Sequence, residues 1–145
     1  MNNNLDTFLK DFTLRGDGTG DYDAYEKTEK WIVDQTVNIS LVKRVLTEET
    51  TLTLKSILEN KIDYDKLWKE FVATNLLDTL KNEWEDENLT PTQVLNELRI
   101  VDIAFNFYNQ PVEFYVYLIT KNVDAEHGVV ILCDKNKIPL KTFCE

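Results

Sequence analysis

A chain of 145 residues, 43% hydrophobic and 11% aromatic, has the make-up of one globular domain and not of a disordered acidic segment. Its 26 acidic and 16 basic residues leave a formal charge of -10, which argues against nucleic acid and anionic membrane as partners and favours a basic protein. Two cysteines are too few for a disulfide framework or a structural zinc site, and Met1 to Asp6 has neither the basic nor the apolar region of a signal peptide, so the expected compartment is the cytoplasm.

The chain starts with a short amphipathic stretch carrying Leu5, Phe8, Leu9 and Phe12. Gly16, Gly18 and Gly20 then predict a loop or wide turn. Trp31 to Val33 and Val37 to Leu46 read as extended, with Val37, Ile39 and Leu41 alternating against Asn38 and Ser40, and Asp34 and Gln35 at the turn of an N-terminal hairpin. Thr47, followed by Glu48 and Glu49, predicts a capped helix that reaches Asn60 through Leu54, Ile57 and Leu58. Asp63 is the expected cap of a longer central helix, along which Leu67, Trp68, Phe71, Leu76, Leu80 and Trp84 recur at helical spacing. Thr90 before Pro91 marks a third, short helix through Val94 and Leu95.

The last third alternates with period two. Val101, Ile103, Phe105 and Phe107 form one strand, and after Asn109, Gln110 and Pro111 come Val112, Phe114, Val116 and Leu118, with Tyr115 and Tyr117 on the other side. Val129 to Cys133, a turn at Asp134 to Lys137, and Ile138 to Leu140 close the chain as a hairpin in which Cys133 faces Ile138 and Cys144 faces His127. The expected fold is α+β, spanning residues 1–145 as a single domain. An antiparallel sheet of about five to six strands, the N-terminal hairpin plus four C-terminal strands, packs on two or three helices.

Catalytic chemistry finds little support. The loop from Gly16 to Tyr25 fails the spacing of an EF-hand, a phosphate-binding loop and a dinucleotide fingerprint. His127 is the only histidine, and adjacent strand residues point to opposite faces, so Glu126 cannot easily orient it toward Cys144. No catalytic residue, metal ligand or cofactor is therefore assigned. The acidic and aromatic set Asp21, Tyr22, Asp23, Tyr25 and Glu26 suits contact with a basic partner, because tyrosine gives rigid contact area and the acids pair with Lys or Arg. The run Glu83, Glu85, Asp86 and Glu87 supplies a second acidic patch that could steer such a partner. The plain alternatives are a solvated loop and a solvated helix end.

The extended region from Trp31 to Leu46, helices ending in Leu89, Thr90 and Pro91, the strand from Leu98 to Phe107, and Glu126, His127, Gly128 before an apolar strand together resemble acidic bacterial α+β domains of uncharacterised function. Some of these are immunity proteins that sit beside polymorphic toxins. The resemblance spans residues 31 to 143 and implies a small antiparallel sheet flanked by helices, with no catalytic residues to carry over. The expected function is a non-enzymatic cytoplasmic binding protein of immunity type, which neutralises a toxin, for example a nuclease, through its acidic surface. A ligand-sensing or regulatory module and a small enzyme using His127 are the alternatives.

Overall fold

A computed structural model describes residues 3–16, 20, 23–106, 108–120 and 128–145. Seven strands form one sheet in the order of the sequence: β1 (Thr13–Arg15), β2 (Ala24–Lys30), β3 (Thr36–Val42), β4 (Leu98–Phe105), β5 (Phe114–Thr120), β6 (Val129–Cys133) and β7 (Pro139–Cys144). Five of the six neighbouring pairs are antiparallel, and β3 with β4 is parallel. Parallel neighbours cannot be joined by a hairpin and need a crossover. That crossover carries α2 (Glu48–Glu59), α3 (Lys61–Asn75), α4 (Leu77–Glu83) and α5 (Pro91–Glu97), while α1 (Asn3–Leu9) precedes the sheet.

The fold is the expected α+β class, with more elements than the sequence pattern resolves. The first strand of the expected N-terminal hairpin lies earlier, at Ala24–Lys30, and Trp31 belongs to the turn. The mixed polar sequence of β2 hides its period, since its inner positions are Tyr25, Lys27 and Glu29 opposite Leu41, Ile39 and Val37. The expected central helix is two helices, α3 and α4, broken at Leu76. Asn75 donates its side-chain amide to the carbonyl of Phe71 at 2.8 Å, and Asn60 does the same to Ser56 at 2.8 Å before α3. An asparagine that bonds back into the preceding turn competes with helix propagation. The apolar stripe Val72, Leu76, Leu80 runs straight across the break, so spacing alone does not register it. The cap position of α3 is Asn60, and Asp63 sits in its first turn.

Thr47 and Thr90 cap α2 and α5 as expected, each in a reciprocal box with the residue three positions on. In the closing hairpin Asp134 organises the turn, its carboxylate accepting from the N–H groups of Asn136 at 2.8 Å and Ile138 at 3.0 Å. The register differs from the expected one: Val129 pairs with Cys144, a two-residue slide, and Cys133 with Pro139, a slide of one, the difference being taken up by an irregularity between Leu132 and Cys133. His127 and Phe107 lie outside the described residues. Both cysteines are free thiols.

One face of the sheet makes the core. Ile39, Ile103, Val116 and Ile131 lie in one cross-strand row and pack with Leu54, Ile57, Trp68, Val72 and Val94 of the helices. The helix layer is pinned to the β2–β3 turn by a buried polar clamp. The indole N–H of Trp31 donates to Asp65 Oδ1 at 2.9 Å, and Asp65 pairs with Lys69 at 3.0 Å. The Trp31 ring stacks on Trp68, whose centroid is 6.1 Å away, and Phe114 meets Trp68 edge-on. These rings pack in the core between sheet and helices. No described helix is long and apolar enough to cross a membrane.

Asp65→Ala removes the shared acceptor and leaves the buried Lys69 ammonium and the Trp31 N–H without partners. The expected loss is about 3 kcal/mol of unfolding free energy, read as a lower midpoint in urea denaturation. A loss under about 1 kcal/mol would show that the clamp does not hold the two layers together.

Candidate binding face of the sheet

Strand alternation sends every second residue to the side away from the helices, and the register aligns these residues into two rows. The first runs Thr28, Asn38, Asp102, Tyr117, Val130, Phe143 from β2 to β7. The second runs Thr13, Glu26, Ser40, Ala104, Tyr115, Leu132, Lys141 from β1 to β7. No described helix packs on this face. A bulge at Val101 produces the alignment: Leu98 and Ile100 point to the core before it, Ile103 and Phe105 after it, and Asp102 emerges on the open side.

Small residues in the middle of the second row, Ser40 and Ala104, lie between Glu26 and Tyr115. Their shortness opens a trough of about 620 Å³ with Arg15, Glu26, Asn38 and Asp102 along it. A second pocket of about 320 Å³ adjoins it on the β5–β7 side, where Asp102, Tyr108, Tyr115, Tyr117, Phe143 and Glu145 converge. The Tyr108 and Tyr115 rings meet edge to face with centroids 5.8 Å apart. Tyr117 lies flat against the backbone of Gly128, where an added Cβ would come within 2.2 Å of its ring. Glycine is required there for the aromatic wall to form.

Asp102 is the electrostatic centre of the face. Burial raises its pKa above the ordinary carboxylate value, the Asn38 amide partly offsets this by bonding to it, and the charge of Glu26 adds to the rise. Asn38 in turn accepts a hydrogen bond from the Thr28 hydroxyl at 3.1 Å, so a polar chain crosses three strands. Arg99, on the same strand, forms no ion pair with Asp102. Burial also raises the Tyr115 and Tyr108 phenols, with Glu145 contributing at both, so these hydroxyls stay neutral around pH 7.

The described acidic residues among those singled out from the sequence do not assemble into one patch. Asp21 and Tyr22 lie outside the described residues. Asp23 turns inward and accepts from the Gly20 N–H at 3.1 Å. Tyr25 faces the helix side and packs on the core. Glu26 reaches the open face, where it pairs with Arg15 at 2.9 Å. Glu83 influences Cys144 on β7, at the far edge of the sheet from β2, roughly 24 Å away at about 4.8 Å per strand. Asp86 accepts from the Asn88 N–H at 3.0 Å, and Glu87 lines a small depression with Lys81 on the helix side. Of the residues lining these pockets, Asp102, Tyr115 and Tyr117 were visible in the sequence only as the polar and aromatic alternates of apolar strands, and Tyr108, in the β4–β5 connection, carried no signal.

A family model described as an uncharacterized protein conserved in bacteria, DUF2262, matches residues 12–142. The chain belongs to this family. No curated protein and no solved structure matches it. The matched segment contains the whole helical crossover and both rows of the open face except Phe143, so nearly all of that face is part of the family domain itself. Among the described residues no three His, Cys, Asp or Glu side chains come together as metal ligands. Burial raises the Cys144 thiol, with Glu83 adding to it, and burial raises Cys133 further, so both are protonated and poorly nucleophilic at neutral pH.

Two outcomes follow for this face. The native state holds the Asp102 proton more tightly than the unfolded chain does, so its contribution to stability falls as pH rises from the unfolded value toward the native one. Asp102→Asn is therefore expected to be more stable than the parent at pH 7, with the gap closing toward pH 3; a constant gap in urea midpoints would disprove this. Gly128→Ala forces the Tyr117 ring aside and is expected to cost about 1–3 kcal/mol. Unchanged Tyr117 ring resonances and stability in that variant would refute the contact.

Proposed function

We propose that this domain is a non-enzymatic protein-binding module of immunity type, which neutralises a basic toxin by covering it with the open face of its sheet. The observation that carries the reading is a sheet face free of described helices that presents tyrosines, short polar residues and a half-buried carboxylate. Such a mixture of aromatic anchors and polar rim is the composition of recognition surfaces. Six strand spacings at about 4.8 Å and strands about 20 Å long give a projected area on the order of 600 Å², close to the ~800 Å² per side of a stable complex. The net charge of -10 steers a basic partner toward the molecule and accelerates association more than it tightens the final complex. Raised thiol pKa values and the lack of convergent ligands among described residues favour occlusion over catalysis as the mechanism. Two free thiols suit a reducing cytoplasm. The trough is also of a size that small molecules occupy, but its lining is mainly polar, whereas small-molecule sites are mainly apolar.

The test asks whether any basic protein encoded beside this gene binds the domain, measured by calorimetry and stopped-flow mixing. Ser40→Arg and Tyr115→Ala, on the open face, are expected to weaken binding by about tenfold or more each, while Glu85→Lys on the helix side leaves it within about twofold. Raising salt from 0.05 to 0.5 M is expected to slow association with little change in dissociation. Equal loss in Glu85→Lys, or none in the open-face variants, would place the contact elsewhere.

A further inference from the structure

We infer that the pocket between β4, β5 and β7 is the receptor for one arginine side chain of the partner, with Asp102 pairing the guanidinium and the tyrosines stacking on it. The inference rests on the binding role proposed above and adds the group that anchors the complex. Two carboxylates, Asp102 and Glu145, and four aromatic rings, Tyr108, Tyr115, Tyr117 and Phe143, line a space of about 320 Å³, and none of the described lining residues is basic. A space so composed selects a cation by charge, and its rings select one that is flat. Guanidinium meets both conditions: it binds carboxylates through parallel N–H donors and lies against aromatic faces, whereas an ammonium is a compact, strongly hydrated point charge.

The supporting groups fix the receptor before any ligand arrives. Asn38 bonds Asp102 from the neighbouring β3, and Asp102 also lines the pocket. Tyr108 meets Tyr115 at 77°, so one ring edge braces the other ring's face. Tyr117 is pressed onto Gly128. Lys141, on the edge strand, lies over the Phe143 ring at 5.6 Å from its centroid and does not line the pocket. Pre-positioned aromatic and acidic groups lose little conformational entropy on binding, which is how a single buried Arg comes to dominate an interface.

The test titrates N-acetyl-L-argininamide into the full chain and follows the tyrosine ring signals by two-dimensional NMR, with the lysine and citrulline analogues in parallel. Saturable shifts confined to Tyr108, Tyr115 and Tyr117 are expected with the arginine probe, weaker ones with lysine and none with uncharged citrulline. Asp102→Asn keeps the shape and the bond to Asn38 and is expected to weaken the arginine probe by about tenfold. Tyr108→Ala, on an exposed ring, is expected to weaken it by about threefold without unfolding the chain. Citrulline shifting the same rings equally, or arginine binding unchanged in a folded Asp102→Asn, would overturn the inference. A basic partner held equally by parent and Asp102→Asn, yet lost in Ser40→Arg, would overturn the anchor and leave the binding role standing. Arginine captured by the pocket while Ser40→Arg and Tyr115→Ala still hold the partner would overturn the partner as the source of that arginine.

Discussion

The parallel pairing of β3 with β4 is the constraint from which the architecture follows. Every other neighbouring pair is antiparallel, consecutive in sequence and joined without a crossover, so it places no helix on the sheet. The connection from Val42 to Leu98 must cross one face, and it carries four helices with it. Their apolar residues are matched by the inner alternates of β3, β4, β5 and β6, and α1 extends the cover through Phe8 and Phe12, with Lys27 placed over the Phe12 ring. One crossover thus separates the sheet into a face that is core and a face that is surface. The polar alternates on β3 and β4 are the counterpart of that separation, since a second apolar face would have no helices to bury it.

The crossover holds its position through polar contacts as well as apolar ones. Burying Asp65 and Lys69 is expensive unless every partner is present, and the Trp31 indole supplies the remaining donor. That arrangement ties the β2–β3 turn to α3, where hydrophobic packing alone would permit sliding. The asparagines that end α2 and α3 serve the same layer differently. Each break redirects the chain so that Leu54 and Ile57, then Trp68 and Val72, then Leu76 and Leu80 all meet one curved sheet, which a continuous helix with the same stripe could not follow over that length.

Much of the helical and C-terminal structure was legible because its signals are local. Thr47 and Thr90 announce helix starts, Asp134 announces a turn, and the alternation from Phe114 to Leu118 announces a strand with Tyr115 and Tyr117 on its second side. Three things were not legible, each for a physical reason. The β2 strand has charged residues at inner positions because Lys27 and Glu29 are neutralised in pairs with each other and with Lys61, so hydrophobic alternation does not mark it. The helix break at Leu76 preserves the buried stripe. The binding face depends on which strands are neighbours: Asn38 and Asp102 stand far apart in sequence and become partners only through the parallel β3–β4 register. Residues that are neighbours in the sequence are therefore separated by the fold, since Tyr25 and Glu26 alternate to opposite faces and Glu83 acts on Cys144 at the other edge.

Net charge and site charge are consequently different quantities in this molecule. The excess of acids creates a long-range field that salt screens within about 10 Å and that favours any basic body. Specificity has to come from a position where ionisation is costly, because only there does an incoming cation relieve something. Asp102 is such a position: burial and Glu26 both oppose its charge, and Asn38 offsets them only in part. A partner cation placed on it recovers the cost that the free domain carries, and the tyrosines around it exclude the water that would otherwise compete. On the proposed reading, the acids outside the trough govern how fast a partner arrives, and the one half-buried carboxylate in the first row governs which chemical group is held once it has.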